Sequence, residues 1–318
     1  MASGVVAMAQ ASDGGGSIRC PAAACGVFGM KPSRGRVPIG PKGTVSWLGL
    51  TVVGAVSRSV RDNAAFLDAI HGPEIGSRYA APAPVGSFLS AVTQDPGRLR
   101  IALMLTPPAG SPVDPEIIAA TRSAARLLES LGHQVDEAAP QLSGGELGNA
   151  MVAVIAGCTA AEITNRLAEM GRDSAGDDIE TVTQMYVHVG SQTSALQILD
   201  ANAVFQRAAI TVAQFQQHYH VILSPVFAQP VIELGKVDLS DVATYTANVL
   251  THSPFTALYN QTGQPAMSLP LGTDSKGLPI GIMIAGRYGD EALLYALAGQ
   301  IEAAAHWAGR RPPGHGVG

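Results

Sequence analysis

Asp13-Gly14-Gly15-Gly16-Ser17-Ile18-Arg19 is the stretch on which the reading of this chain turns. Three consecutive glycines let the backbone adopt positive φ and let another molecule approach it closely. Successive N–H groups in such a turn converge on one oxygen atom, as in an anion nest or oxyanion hole. A serine closes the run, so a nucleophile and a cradle for the charge it creates stand side by side. A serine hydroxyl is a weak nucleophile without an adjacent base, and no base lies nearby in the sequence. Linker composition does not account for the stretch, because Ile18, Pro21 and the alanines at 22–24 follow it. A phosphate-binding loop does not account for it either: G-x-x-x-x-G-K-[ST] is absent and Lys31 is too distant.

The motif runs on as Cys20-Pro21-Ala22-Ala23-Ala24-Cys25-Gly26-Val27-Phe28-Gly29-Met30-Lys31-Pro32-Ser33-Arg34-Gly35-Arg36-Val37-Pro38. With the residues before it, this resembles the second half of the amidase signature, D-x-G-G-S-I-R-x-P-A followed by G-x-x-G-x-K-P-S-x-G-R-V-P. Ser57-Arg58-Ser59-Val60-Arg61-Asp62, Phe255–Ala266, Gly277–Gly281 and Trp307–Pro313 are similar to later segments of the same family, so the likeness covers nearly the whole chain. The resemblance implies hydrolysis of small-molecule amides, linear or cyclic, through an acyl-enzyme, with no metal or cofactor. It implies Ser17 as the acylated nucleophile and the N–H groups of Gly14, Gly15, Gly16 and Ser17 as the oxyanion hole. It implies that Asp13 and Arg19 support the site. Taken as bare charges, the two either pair across the turn or lie exposed.

The family's proton relay consists of a bridging serine well before the nucleophile and a lysine further upstream. Residues 2–9 match only the tail of the stretch after that serine, and Ser3 is too close to Ser17 to be it. By this likeness residues 1–318 form a single amidase-signature domain, the C-terminal two-thirds or so of the family's usual domain with the N-terminal part missing. Catalysis is accordingly expected to be impaired. A homodimer or an N-terminal complement is the partner left open. The other reading is a non-catalytic or partner-dependent subunit resembling an amidotransferase A subunit.

Composition bounds the rest. Of 318 residues, 47% are hydrophobic and 14% charged, enough for a sizeable core of buried elements. A net charge of −5 gives no footing for nucleic acid. No apolar run approaches the ~20 residues that span a bilayer, so no membrane is expected. The three cysteines, Cys20, Cys25 and Cys158, lack zinc spacing and suit a reducing cytoplasm. Of the four lysines (Lys31, Lys42, Lys236, Lys276), Lys31 lies nearest the motif and reads as a solvated loop residue. Histidines 133, 252 and 306 read as surface or capping groups rather than triad members. Cys158, in the apolar stretch Val152–Ala161, reads as core packing. Alternatively it lines a substrate pocket, since one branch of the family, the cyclic-dimer amide hydrolases, places a cysteine beside the substrate at similar spacing.

The elements read as α/β, and the resemblance makes the fold a mixed central sheet covered by helices on both faces. Residues 13–56 read as loops and short strands around the turn. A helix starts at about Ser59 and stops at Gly72-Pro73. Leu99–Leu105 is a strand. Asp114-Pro115-Glu116 starts a helix that ends at Gly132, and Gln134–Asp136 is a strand, which together make a βαβ unit. Helical patterns cover 146–170 and 194–218, with a polar loop at 171–181. Val221–Val226 is a strand, 231–251 a surface excursion, Pro265–Leu271 and Pro279–Ala285 a hairpin, and Asp290–Ala305 a final helix.

Overall fold

The computed structural model describes residues 1–41 and 43–314. Eight strands form one mixed sheet: β1 (Met8–Asp13), β2 (Phe28–Lys31), β3 (Val52–Ser57), β4 (Arg100–Leu103), β5 (Gln134–Glu137), β6 (Val221–Pro225), β7 (Ala266–Thr273) and β8 (Pro279–Ala285). Their order across the sheet is β1-β3-β2-β7-β8-β6-β4-β5. β4 runs parallel to both β5 and β6, and every other neighbouring pair is antiparallel.

The helices are α1 (Arg19–Cys25), α2 (Val60–Ile70), α3 (Phe88–Ala91), α4 (Pro115–Ser130), α5 (Gly144–Glu169), α6 (Thr181–Gln192), α7 (Ala195–Phe215), α8 (Val242–Tyr245), α9 (Leu258–Thr262) and α10 (Glu291–Ala305). The helix starts read from the sequence at Ser59 and Asp114 carry side-chain caps. Ser59 Oγ accepts from the Asp62 N–H and Asp114 Oδ1 from the Glu116 N–H, each satisfying an N–H that the first turn leaves without a partner.

Period-2 alternation along the central strands divides the core in two. Ile101, Leu103, Val221, Leu223, Ile282 and Ile284 face one side, with residues of α2, α3, α4 and α10. Ala102, Met104, Ile222, Met283 and Ala285 face the other, with residues of α1, α5, α7 and α9. The sheet is therefore covered on both faces, as expected. α1 lies close against it because Gly281 has no side chain: a Cβ there would come 2.2 Å from Ala23 Cβ.

Five helices escape the sequence reading: α1, α6 and the short α3, α8 and α9. α1 follows the glycine turn where a loop is expected. Its three alanines favour helix, and Pro21 falls in the first turn, where a proline displaces no helical hydrogen bond. α6 buries only Val182, so its apolar stripe is faint. α5 also departs from expectation. By length and composition it is a helix that could cross a membrane, with a mean hydropathy of 1.4 over its most apolar 18 residues. No charged residue lies between Glu146 and Glu162. In the fold Leu147, Ala150 and Val154 enter the second core and α6 and α7 pack along it.

Candidate active site

The glycine turn joins β1, at the sheet edge, to α1, and what holds it is a buried ion pair. Asp13 and Arg19 are both fully buried, with Arg19 Nη2 2.9 Å from Asp13 Oδ1 and Arg19 Nε donating to Oδ2 at 3.0 Å. Their pairing, open in the sequence, is thus settled in favour of the ion pair. Asp13 also accepts from the N–H groups of Gly16 (2.7 Å) and Ile18 (3.1 Å), which folds the turn back on its own start. Burial alone would raise the Asp13 carboxyl. The Arg19 guanidinium outweighs it, helped by Lys31 and Asn260, and holds the group at about 2.

Asn260 and Thr256 complete the frame. Asn260 Nδ2 donates to the Asp13 carbonyl at 2.8 Å and to the Leu50 carbonyl at 3.0 Å, while Arg19 Nη2 donates to Asn260 Oδ1 at 2.6 Å. Thr256 Oγ1 donates to the Gly15 carbonyl at 2.6 Å, and Arg19 Nη1 to the Thr256 carbonyl at 2.7 Å. Neither residue was singled out from sequence. The available signal was a polar pair inside Phe255–Thr262, a segment buried almost throughout. A second buried pair, Arg36 with Glu291 at 2.8 Å, ties the Ser33–Arg36 loop to α10, and Glu291 Oε1 also accepts from the Ser33 N–H.

The turn leaves Ser17 exposed, and no protein group among the described residues hydrogen-bonds its hydroxyl. Of the four N–H groups expected to form the cradle, Gly16 is committed to Asp13. The N–H groups of Gly14, Gly15 and Ser17 donate to no acceptor among the described residues. Three of the four expected donors therefore stay without a protein acceptor among the described residues. Gly16 serves by its shape: its φ is +142°, and a Cβ there would lie 2.6 Å from Thr256 Oγ1 and 2.8 Å from Cys20 Sγ. Gly16→Ala is expected to lower stability by about 2–4 kcal/mol through strain and overlap. Thermal melting with circular dichroism checks this, and a melting curve matching wild type contradicts it.

Two further expectations change. Lys31 is not a solvated loop residue. It ends β2 between β3 and β7, is fully buried, and its Nζ donates to the Pro32 carbonyl at 2.9 Å. Burial, reinforced by the Arg19 guanidinium, pushes its pKa well below the usual lysine range. Cys20, one turn beyond Ser17, has its thiol raised by burial to about 11, which keeps it protonated and unreactive. Cys158 is half-buried and packs against the second core, and burial with Glu162 raises its thiol as well.

The histidines behave as packing and capping groups. His133 Nδ1 accepts from the Leu99 N–H at 3.2 Å, and its Nε2 lies 2.8 Å from Gln300 Oε1. His252 packs against Phe227 with ring centroids 4.6 Å apart and planes tilted by 58°, and burial lowers its pKa. His306 caps α10 in the left-handed conformation. Among the described residues no three His, Cys, Asp or Glu side chains gather where they would hold a metal ion.

A frame of this kind, on this sheet, has relatives. Residues 1–295 match the family profile described as Amidase. The 6-aminohexanoate-cyclic-dimer hydrolase of Paenarthrobacter ureafaciens is 33% identical over 317 residues, covering 96% of this chain and 64% of the hydrolase. A solved structure of 6-aminohexanoate cyclic dimer hydrolase superimposes with a TM-score of 0.88 at 32% identity, covering 96% of this chain and 66% of that one. A bacterial aryl acylamidase structure follows, with a TM-score of 0.83 at 26% identity over 98% of this chain and 66% of its own. The chain thus spans just under two thirds of the length of these relatives. With the profile, the identity and the shared fold in agreement, the chain belongs to the amidase signature family.

Proposed function

We propose that these residues carry the acyl-transfer half of an amide-hydrolysing site, acting on small uncharged amides, linear or cyclic. Ser17 Oγ attacks the carbonyl carbon. The N–H groups of Gly14, Gly15 and Ser17 hold the resulting oxyanion. The tetrahedral intermediate collapses with cleavage of the C–N bond, the proton lost from the Ser17 hydroxyl leaves on the amine, and water then supplies the hydroxyl of the acid and the proton that regenerates the serine. The observation that carries this reading is an exposed serine hydroxyl beside three N–H groups without protein acceptors, braced from below by a buried ion pair.

The proton relay implied by the resemblance has no counterpart among the side chains described around Ser17. Lys31 is turned into the protein and hydrogen-bonded to Pro32, while Lys236 and Lys276 are exposed. Lys42 lies outside the described residues. The 318-residue polypeptide assayed by itself is therefore slow on unactivated amides, limited to what the oxyanion donors and binding supply, roughly 10³–10⁴-fold over water. The free thiols of Cys20, Cys25 and Cys158 fit a reducing compartment such as the cytoplasm.

Steady-state kinetics on hexanoyl p-nitroanilide and p-nitrophenyl hexanoate test the reading. The ester, whose leaving group needs no proton, is cleaved by the purified chain, and the anilide is cleaved orders of magnitude more slowly. Anilide turnover at ordinary enzyme rates, about 1–10³ per second, would place a complete relay within these residues and overturn the proposed impairment.

A further inference from the structure

Which N–H groups of the turn stay free depends on how each peptide unit is held. A peptide unit is planar and trans, so its N–H points away from its own carbonyl. The unit joining Asp13 to Gly14 has its carbonyl held by Asn260 Nδ2 at 2.8 Å, and the unit joining Gly16 to Ser17 has its carbonyl held by the Cys20 N–H at 2.7 Å. Their N–H groups, on Gly14 and Ser17, face the other way and donate to no acceptor among the described residues. The unit joining Gly15 to Gly16 is held at both ends. Its N–H donates to Asp13 Oδ1 at 2.7 Å, and its carbonyl accepts from Thr256 Oγ1 at 2.6 Å.

That unit stands between the free N–H of Gly15 and the free N–H of Ser17, and both of its joints are glycines. Glycine turns at little steric cost. A unit released at one end can therefore rotate and carry the two N–H groups off a common point. Asp13 anchors one end and is itself gripped by Arg19. At the other end the anchor is a single hydroxyl. Thr256 is fully buried, and its carbonyl accepts from Arg19 Nη1 at 2.7 Å. The Ser253 carbonyl, at 3.2 Å, is the more distant of the two acceptors of its hydroxyl. A Cβ built on Gly16 would lie 2.6 Å from Thr256 Oγ1, so the hydroxyl sits hard against the turn.

We propose that Thr256 is a positioning residue of this site: its hydroxyl latches the peptide between Gly15 and Gly16 and so sets the Gly15 and Ser17 N–H groups on one oxyanion. The proposal rests on Ser17 being the acylated nucleophile. Thr256, buried beneath the turn, acts through the Gly15 carbonyl and not on the substrate. Charge that develops on the carbonyl oxygen in the transition state feels the aim of the donors, whereas binding of the ester in its ground state does not.

Burst kinetics with p-nitrophenyl hexanoate, and the infrared band of its isotope-labelled carbonyl once on the protein, test this. Thr256→Val, which removes the hydroxyl at nearly constant volume, is expected to slow acylation by roughly tenfold to a hundredfold, less than the loss of a whole oxyanion donor. The half-saturating ester concentration stays within about threefold. The acyl-carbonyl band moves to higher wavenumber, because the hydrogen bonds to that oxygen weaken. Thr256→Ser, which keeps the hydroxyl, restores most of the rate and returns the band. Acylation and band both unchanged in Thr256→Val overturn the latch. So does slow acylation with an unchanged band, which marks a general loosening, and so does a Thr256→Ser protein that behaves like Thr256→Val. Rates are taken per equivalent of burst, so unfolded protein does not count, and Thr256→Ala gives the same two readings where valine does not fit. A burst that survives Ser17→Ala overturns the nucleophile and the latch with it. A burst lost in Ser17→Ala but of wild-type rate in Thr256→Val overturns the latch alone.

Discussion

Arg19→Met is expected to destabilise the protein by about 3–5 kcal/mol, because it leaves the Asp13 carboxylate buried without its main counter-charge. For a chain of this size that lowers the melting temperature by roughly 5–15 °C. The loss is not confined to one pair. Arg19 also bonds Asn260 and the Thr256 carbonyl, so its removal loosens the segment that holds Gly15 in place. Asp13→Asn combined with Arg19→Met is expected to recover part of the loss, since a neutral Asn Oδ1 still accepts from an N–H of the turn and no bare charge stays buried.

The pH dependence has a definite sign. In the wild type the Asp13 carboxyl is held at about 2. Its contribution, about 2 kcal/mol, is fully present above the unfolded carboxylate range near 4 and is lost as the pH falls from about 4 through about 2. In Arg19→Met, burial is left to act largely unopposed and raises the same group, so that variant gains from protonation instead. The stability gap between the two proteins should narrow as the pH is lowered from 7 towards 4. Urea unfolding at several pH values measures it, and a gap that stays constant contradicts the assignment of Asp13 as the charge Arg19 neutralises.

How much of this was legible in the sequence follows from what each signal depends on. The strands, the helix starts at Ser59 and Asp114 and the βαβ unit rest on local patterns, and they stand as read. α1 was missed because a proline among small residues carries no periodicity, although it is the packing of those small residues on Gly281 that makes the helix. The glycine-serine turn was visible because three glycines and a serine are contiguous. Its supports were not, because Thr256 and Asn260 lie more than two hundred residues away and meet Asp13, Gly15 and Arg19 only through the sheet. Lys31 was misjudged for a related reason. A lysine beside a proline looks solvated until β7 closes over the far side of β2. The commitment of the Gly16 N–H to Asp13 is a matter of φ, which no spacing rule reports.

Ser17→Ala is expected to remove the acyl-enzyme altogether. With a p-nitrophenyl ester the phenolate leaves as an anion, so formation of the acyl-serine makes little demand on a proton donor. Its hydrolysis needs an activated water, and no described side chain hydrogen-bonds Ser17 to supply a base. Acylation should therefore outrun deacylation and give a burst approaching one equivalent per protein, followed by slow turnover. In Ser17→Ala the burst vanishes and the initial rate falls by roughly 10²–10³-fold, to what the three N–H groups accomplish with water as nucleophile. The substitution removes only an exposed hydroxyl, so the thermal stability of this variant should match wild type within about 0.5 kcal/mol.

The identity of the acylated atom decides the account. Intact-mass measurement and peptide mapping after brief mixing with p-nitrophenyl hexanoate should find one hexanoyl group, on the peptide carrying Ser17 and absent from Ser17→Ala. Cys25, the exposed thiol that ends α1 just beyond Ser17, is the natural competitor. A protein that stays unmodified while the ester is consumed, or that carries its label on Cys25, would contradict Ser17 as the nucleophile.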